Sequence, residues 1–449
     1  MLKTYLIKPI LDQNYPFITH GKGIYLYDDQ GNEYIDGSSG AVTANIGHGV
    51  QDIIEAMQVQ AQKVSFVYRS QFSTHIAEKL ANKISQISPG DLNWSFFVNS
   101  GSEATETAMK IAIQYWQEEG RPKKNKIMSR WMSYHGITIG ALSMSGHIGR
   151  RERFESLLEK YPSISAPYYY RECKDKTVEQ CDDFYAAELE KEILRIGAEN
   201  VAAFIAEPIV GAAGGVLIPS KKYFKKLKTV CEMYDILLIA DEVMTGMGRT
   251  GKMFAMEHFD VVPDIMATGK GMGAGYTPIA ATVVSDQIMN SILNGSKLIM
   301  SGHTYSANPQ SAATALAVID YIEKHDLVEK SAQNGKYLIG KMNELAGRSR
   351  IIGDVRGEGL FVGIEFVANK DTKSPFLKKY NVINRIIDEC FSNLLLIYPA
   401  NAGVDGINGD AIIIAPPLTI TKQEIDELVD RFSKSLEKVE NSLLKEHIR

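Results

Sequence analysis

Three segments of the 449-residue chain carry residue types that could do chemistry together. The first is Asp264-Ile265-Met266-Ala267-Thr268-Gly269-Lys270-Gly271-Met272-Gly273-Ala274-Gly275. A single lysine stands among glycines and small apolar residues, directly after a strand-like stretch. Such an amine is partly desolvated, its pKa falls, and it becomes a nucleophile suited to Schiff-base chemistry with a carbonyl. A phosphate-binding P-loop would need Ser or Thr after the lysine, whereas Gly271 follows here. A dinucleotide fingerprint would sit in the first βα turn, with an acidic residue ~20 positions further on, and this segment lies past mid-chain.

The second segment, Leu237-Leu238-Ile239-Ala240-Asp241-Glu242-Val243, ends an apolar run on a carboxylate. Burial there would raise the pKa of Asp241 unless a cation answers it, and a protonated pyridine nitrogen is such a cation. The same residue could equally cap a turn. In the third, Asn99-Ser100-Gly101-Ser102-Glu103-Ala104, a strand enters a small-residue turn that opens a helix. Unpaired N–H groups of a first helical turn attract anions, and Gly101 permits close approach, with Ser100 and Ser102 adding hydroxyls. Ser100 and Glu103 also fit a plain N-terminal capping motif, so both readings stand.

The elements that must position these residues are legible around them. Val201–Ala206 and Ile236–Ala240 are wholly apolar, and between them Tyr223, Phe224, Leu227, Val230, Cys231 and Tyr234 mark one helix face. That pattern predicts a βαβ crossover in a sheet covered on both sides. Glu207 and Asp241 then fall at the carboxyl ends of the two strands, the edge where open α/β sheets bind ligands. Phe96-Phe97-Val98 predicts another strand. Ala104, Ala108, Ile111, Ala112 and Tyr115 predict a helix after it that stops near Gly120 and Pro122. Residues 24–36 read as two short strands about a polar turn. The composition shifts after residue 325, and a polar amphipathic helix starts near Lys422. The expected division is an N-terminal segment 1–70 joined to a small domain, a large domain 71–325, and a C-terminal small domain 326–449.

Bulk properties exclude several classes. A net charge of −5 with no basic stripe argues against nucleic-acid binding, and Lys221, Lys222, Lys225 and Lys226 read as a solvated helix face. No apolar run reaches the ~18 residues of a membrane span. The opening Met1–Tyr5, soon interrupted by Lys8, Pro9 and Asp12, does not read as a secretory signal. Cys173, Cys181, Cys231 and Cys390 form no CxxC pair or zinc spacing, so reduced thiols and a cytoplasmic location are expected, with no metal.

Taken together, the motifs resemble the class III aminotransferases, in particular the ω-amine:pyruvate branch. Asp241-Glu242-Val243-Met244-Thr245-Gly246-Met247-Gly248-Arg249-Thr250-Gly251, then Pro263-Asp264, then Gly269-Lys270-Gly271 follow the family's order and spacing. The likeness runs from Gly47-His48 through Tyr134-His135-Gly136 and Glu207-Pro208 to Pro416-Pro417. It implies fold type I of the pyridoxal-phosphate transferases: a large α/β domain with a mainly parallel sheet covered by helices, and a smaller α+β domain from both ends of the chain. It further implies pyridoxal 5′-phosphate held by Lys270 as a Schiff base, with Asp241 on the pyridine nitrogen. Gly101 and Ser102 resemble the phosphate cradle, Tyr134 the stacking aromatic with His135 beside it. Val243 should point the same way as Asp241 from a strand and pack on the other ring face. Thr304, in Ser301-Gly302-His303-Thr304-Tyr305, resembles the hydroxyl that reaches a neighbouring subunit's phosphate, which implies a homodimer with a shared site. Glu207 resembles a carboxylate on the substrate side, and Arg249 is expected to brace its loop. The implied reaction is ping-pong transfer of an amino group from an ω-amine, diamine or amino acid to a 2-oxo acid, pyruvate or 2-oxoglutarate. An aminomutase, racemase, lyase or decarboxylase shares the same core motifs.

Two departures bear on substrate. Met244 stands where relatives acting on ornithine or 4-aminobutyrate have Gln, which is why the ω-amine branch fits better. Many members place an arginine for the substrate carboxylate before the Pro-Pro turn, but Leu396–Pro417 contains no Arg or Lys. Asp405 is a candidate for a donor's distal ammonium, or simply a turn residue. Arg69, in Tyr68-Arg69-Ser70-Gln71, is the candidate anchor for the oxo acid.

Overall fold

The computed structural model describes residues 5–161, 163–402 and 408–447. Its centre is a seven-stranded sheet. In chain order its strands are β4 (Leu92–Val98), β5 (Lys126–Arg130), β6 (Ser163–Ile164), β7 (Val201–Ala206), β8 (Leu237–Asp241), β9 (Ile265–Thr268) and β10 (Ala280–Ser285). They lie in the order β4-β10-β9-β8-β7-β5-β6. Only β10 runs against its neighbours; the pairs from β9 to β6 are parallel. Parallel strands need crossovers, and the Tyr223–Met233 helix makes the one between β7 and β8.

Apolar residues on both faces explain why these strands are buried centrally. Phe204, Ala206, Leu238 and Ala240 pack into one core beside the Val178–Ile196 and Tyr223–Met233 helices. Ile205, Leu237, Ile239 and Ile265 pack into the other, against Ile111, Ala112 and Tyr115 of the Gly101–Glu118 helix. A side chain on every strand position thus meets a layer of helices, as period-two geometry requires.

Register then fixes the chemistry-bearing edge. Ala206 pairs with Ala240, and Asp241 pairs with Ala267. Glu207 therefore emerges beside Asp241, and Lys270 follows three residues after the partner of Asp241. β4 and β5 finish at the same edge and lead to Gly101 and Tyr134.

Two smaller sheets complete the fold. One joins β1 (Ile18–Lys22), β2 (Tyr25–Asp28) and β3 (Glu33–Asp36) to β13 (Leu395–Leu396), with β3 and β13 parallel. The polar turn between β2 and β3 is held by Asp28 Oδ1, which accepts from the backbone N–H of Gln30 and Asn32. The other is antiparallel, β11 (Ile352–Glu358), β12 (Phe361–Phe366), β15 (Asp410–Ile414) and β14 (Tyr398–Asn401). The N-terminal strands are thus tied to β13 in the C-terminal part of the chain. Lys222, Lys225 and Lys226 pair with Glu179, Asp260 and Asp183 on the solvent side of their helix. No helix among the described residues is long and apolar enough to cross a membrane.

The expectation of four reduced thiols is corrected. Cys173 and Cys181 form a disulfide, with Cα atoms 6.1 Å apart, while Cys231 and Cys390 are free and buried. Cys173 ends the short Tyr169–Glu172 helix and Cys181 lies in the first turn of the Val178–Ile196 helix. The turn between the two helices brings the thiols together, a juxtaposition that a search for CxxC spacing does not register.

Candidate active site

The carboxyl edge of the large sheet surrounds a cavity of ≈ 640 Å³. Lys270 reaches into it from the loop after β9, and its backbone takes a φ of 43°. A non-glycine residue in that left-handed region is strained by about 1–3 kcal/mol, a strain held where the surroundings over-determine it, commonly at functional sites. Burial pushes the Lys270 amine down to about 8, against the opposing pull of Asp241 and Glu207, while Arg150 and Arg249 add to the depression. At neutral pH an appreciable share of this amine is therefore unprotonated, in contrast to a solvated lysine.

Asp241, 4% exposed, closes β8 at the cavity floor. Its Oδ2 stands 2.8 Å from His135 Nδ1, and its Oδ1 accepts from the backbone N–H of Val243 at 3.1 Å. A carboxylate has no proton to give, so the imidazole is the donor. His135 is itself pinned on both sides: its N–H donates to Ser145 Oγ, and its carbonyl accepts from Thr105 Oγ1. Its Nε2 is buried with no hydrogen-bond partner among the described residues. Glu207, 5% exposed, spends Oε1 on the backbone N–H of Tyr134 and Oε2 on that of Gly211. Burial raises its pKa. Arg130 at the end of β5 donates to the Glu207 carbonyl at 2.6 Å, a residue that sequence reasoning missed although its strand-end position could have marked it.

The helix-start segment caps its own helix and opens onto the cavity. Ser100 Oγ accepts from Glu103 N–H as an N-cap and stays outside the cavity, while Gly101 and Ser102 line it. Gly101 is required there, because a Cβ would lie 2.6 Å from Val243 Cγ1. Gly136, at φ 134°, would place a Cβ 2.5 Å from Ser102 Oγ, which instead accepts from Ile137 N–H at 3.0 Å.

Tyr134 lines the cavity, half-buried, and burial raises its phenol. Val243 lines it too, but not from a strand: β8 ends at Asp241 and Val243 sits in the turn that follows. The strand-alternation argument for its direction is therefore corrected. Pairing with β9 stops because the backbone N–H of Glu242 makes the last bond, to Ala267, before the chain turns. Met244 lines the wall beside Gly211, where a Cβ would meet its Sδ at 2.5 Å. Arg249 is fully buried and donates to the Leu360 and Pro416 carbonyls, Ser39 Oγ and Asn45 Oδ1, so it braces the loop as expected.

Two expected residues lie elsewhere. Thr304 is exposed and outside the cavity, on a loop whose His303 faces Glu103 at 3.7 Å. Arg69 also lies outside the cavity lining and donates to the Ser301 carbonyl on that same loop at 2.6 Å. Asp405 lies outside the described residues. Sequence reasoning also missed a corner of the site formed by His147 and Arg150 around Tyr134, with Asn401 Nδ2 3.3 Å from His147 Nε2.

The residues fit a phosphorylated pyridine aldehyde: a desolvated amine, a buried carboxylate with an imidazole beside it, and a glycine-lined helix start on one cavity. No group of His, Cys, Asp and Glu among the described residues could hold a metal ion.

The family model for aminotransferase class-III matches residues 10–436. An uncharacterized aminotransferase of Bacillus subtilis, YodT, is 54% identical over 99% of this chain and 100% of its own length. The putrescine–pyruvate aminotransferase of Pseudomonas aeruginosa is 36% identical over 97% of this chain and 95% of its own. Among solved structures, the ω-transaminase of Pseudomonas jessenii in complex with PMP superposes with a TM-score of 0.90. It is 33% identical, covering 97% of this chain and 96% of that one.

Proposed function

The chain belongs to the class-III aminotransferases and is a pyridoxal-phosphate-dependent transaminase, and on that premise we propose that Lys270 and Asp241 are its catalytic pair. The observation that carries this reading is the convergence of the Lys270 amine and the His135–Asp241 pair on one cavity at the carboxyl edge of the sheet. Bound there, pyridoxal 5′-phosphate supplies an aldehyde that takes up amino groups and a protonated ring that stores electron density.

The chain's own residues do the rest. Lys270 would hold the cofactor covalently at rest, and its Nζ would then carry the proton between the substrate carbon and cofactor C4′. Asp241 Oδ2, its hydrogen bond to His135 fixing its direction, offers the negative charge that keeps a ring nitrogen protonated. Gly101 and Ser102 present the helix start to the phosphate, Ser100 supporting them as the cap. Tyr134 and Val243 enclose the ring, and Glu207 holds the Tyr134 backbone in place.

The donor is proposed to be an ω-amine or diamine and the acceptor a 2-oxo acid, in a ping-pong cycle. Met244 in place of an amide, and the putrescine–pyruvate relative, support the diamine side. Asp405 remains the proposed partner of a distal ammonium; neutralising it should lower the preference for diamines over monoamines. Thr304 is proposed to act in a second subunit, which its exposure supports, so the working unit is a homodimer. Arg69, bonded to the Ser301 carbonyl, is proposed to brace that loop rather than to anchor the oxo acid. The same reading divides the chain at about residues 70 and 325, supported by the pairing of β3 with β13. A cytoplasmic location belongs to the proposal, and the Cys173–Cys181 bond weighs against it, since a reducing compartment would open such a bond.

The test is a half-reaction. Holoenzyme mixed with candidate amines, without oxo acid, should lose its visible absorption band, and pyruvate or 2-oxoglutarate should restore it. Product forming while the band persists would instead indicate lyase, racemase or decarboxylase chemistry.

A further inference from the structure

A 2-oxo acid must bring its carboxylate into a cavity that already holds Asp241 and Glu207. Burying that charge without a cation is costly, so a guanidinium or ammonium has to stand at the mouth. The segment Leu396–Pro417 supplies none.

The arginines around the site can be sorted by what already occupies them. Arg130 donates to the Glu207 carbonyl, and Arg249 is fully buried on four acceptors. Arg151 spends one nitrogen on the carbonyls of Leu142, Ser143 and Ser145. Arg356 is held by Asp354, Glu365 and the carbonyls of Gly214 and Gly215. Arg69 is on Ser301, away from the cavity.

Arg150 differs from all of these. It is exposed, and its guanidinium makes no hydrogen bond or ion pair with the described residues and lies 4.8 Å from the centroid of the Tyr134 ring. Tyr134 is itself a wall of the cavity. The charge of Arg150 is felt at the Lys270 amine. Its neighbour His147 offers no competing charge, since burial and Arg150 together push that imidazole down to about 4. Stacking on Tyr134 holds the guanidinium plane while leaving its N–H fork free.

Resting on the transaminase reading above, we propose that Arg150 is the anchor for the carboxylate of the 2-oxo acid acceptor, gripping it at the cavity mouth through its unoccupied guanidinium fork. Arg151, adjacent in sequence, is the scaffold that fixes the turn from which Arg150 projects. A carboxylate one bond from the reacting carbonyl is recognised by two parallel N–H···O bonds, and a short oxo acid suits an anchor so close to the lysine.

The experiment compares acceptors with and without the carboxylate. The amine-loaded holoenzyme is reacted with pyruvate and with propanal, and the ratio of the two second-order rate constants is taken for wild type, Arg150→Met, Arg150→Lys and Arg69→Met. Loss of a charge-assisted bidentate contact should lower the pyruvate-to-propanal ratio about 10–100-fold in Arg150→Met. Arg150→Lys should keep part of the preference, and Arg69→Met should keep it whole. Calorimetric binding of propionate, which cannot react, to the aldehyde-loaded holoenzyme should weaken by a similar factor in Arg150→Met. A ratio within twofold of wild type in Arg150→Met, a loss confined to Arg69→Met, or propionate affinity equal in wild type and variant would each overturn the assignment. Should the enzyme prove not to transaminate any amine, the function reading fails by itself, and propionate binding still decides on Arg150.

Discussion

His135 Nδ1 and Asp241 Oδ2 face each other at 2.8 Å in the floor of the cavity, both buried, at the ends of two different strand-to-helix connections. Neither residue is near the other in sequence. The parallel pairing of β5, β7 and β8 brings them to one edge, and Ser145 and Thr105 then lock the histidine backbone. The pair aims a negative charge at one point and leaves one carboxylate oxygen to its own turn.

Asp241→Asn removes that charge while conserving size. Transamination kcat/KM should fall by about 100-fold or more, with melting temperature little changed. Single-turnover kinetics together with a thermal melt check this; activity within threefold of wild type would exclude Asp241 as the ring's counter-charge.

The depressed amine of Lys270 has a pH signature in the cofactor-free protein. Attack on an aldehyde needs the unprotonated form, so the rate of cofactor capture should climb as pH rises and level off above about 8. An ordinary lysine would keep gaining until above about 10. Stopped-flow absorbance between pH 6 and 10 reads the difference.

Gly101→Ala places a methyl 2.6 Å from Val243 Cγ1. Overpacking of about 1–3 kcal/mol should displace Val243 or the helix start. Cofactor affinity, measured by dialysis against pyridoxal phosphate, should weaken about tenfold, with a small fall in melting temperature.

Arg249→Met leaves the Leu360 and Pro416 carbonyls and Asn45 Oδ1 without their donor. A loss of about 2–5 kcal/mol is expected. Urea unfolding should show it, whereas the choice between pyruvate and propanal should stay as in wild type, since this arginine faces no substrate.

Much of this arrangement could be read from residues alone, for identifiable reasons. Val201–Ala206 is apolar throughout and runs into Glu207, and Leu237–Asp241 is apolar up to its last residue, which marks central strands and their polar ends together. Ser100 through Glu103 carry a capping pattern and a glycine opening at once, and both proved present. What stayed hidden depends on contacts distant in sequence or on turns. Val243 lies past the end of its strand, so alternation could not place it. Cys173 and Cys181 meet across a turn between two helices. Arg150 gains meaning only from the ring of Tyr134, sixteen positions earlier, and from the neighbours that occupy every other arginine around the site. Arg69 joins Ser301 across the fold, a pairing no local pattern signals.

The most direct measurement is to reduce the holoenzyme with borohydride, digest it, and map the pyridoxyl label by mass spectrometry. The account predicts one label, on the peptide containing Lys270, and none when an excess of amine donor has first converted the cofactor to its amine form. A label on any other lysine, or a stable label that the amine donor does not prevent, would contradict the assignment of Lys270 as the residue through which this transaminase works.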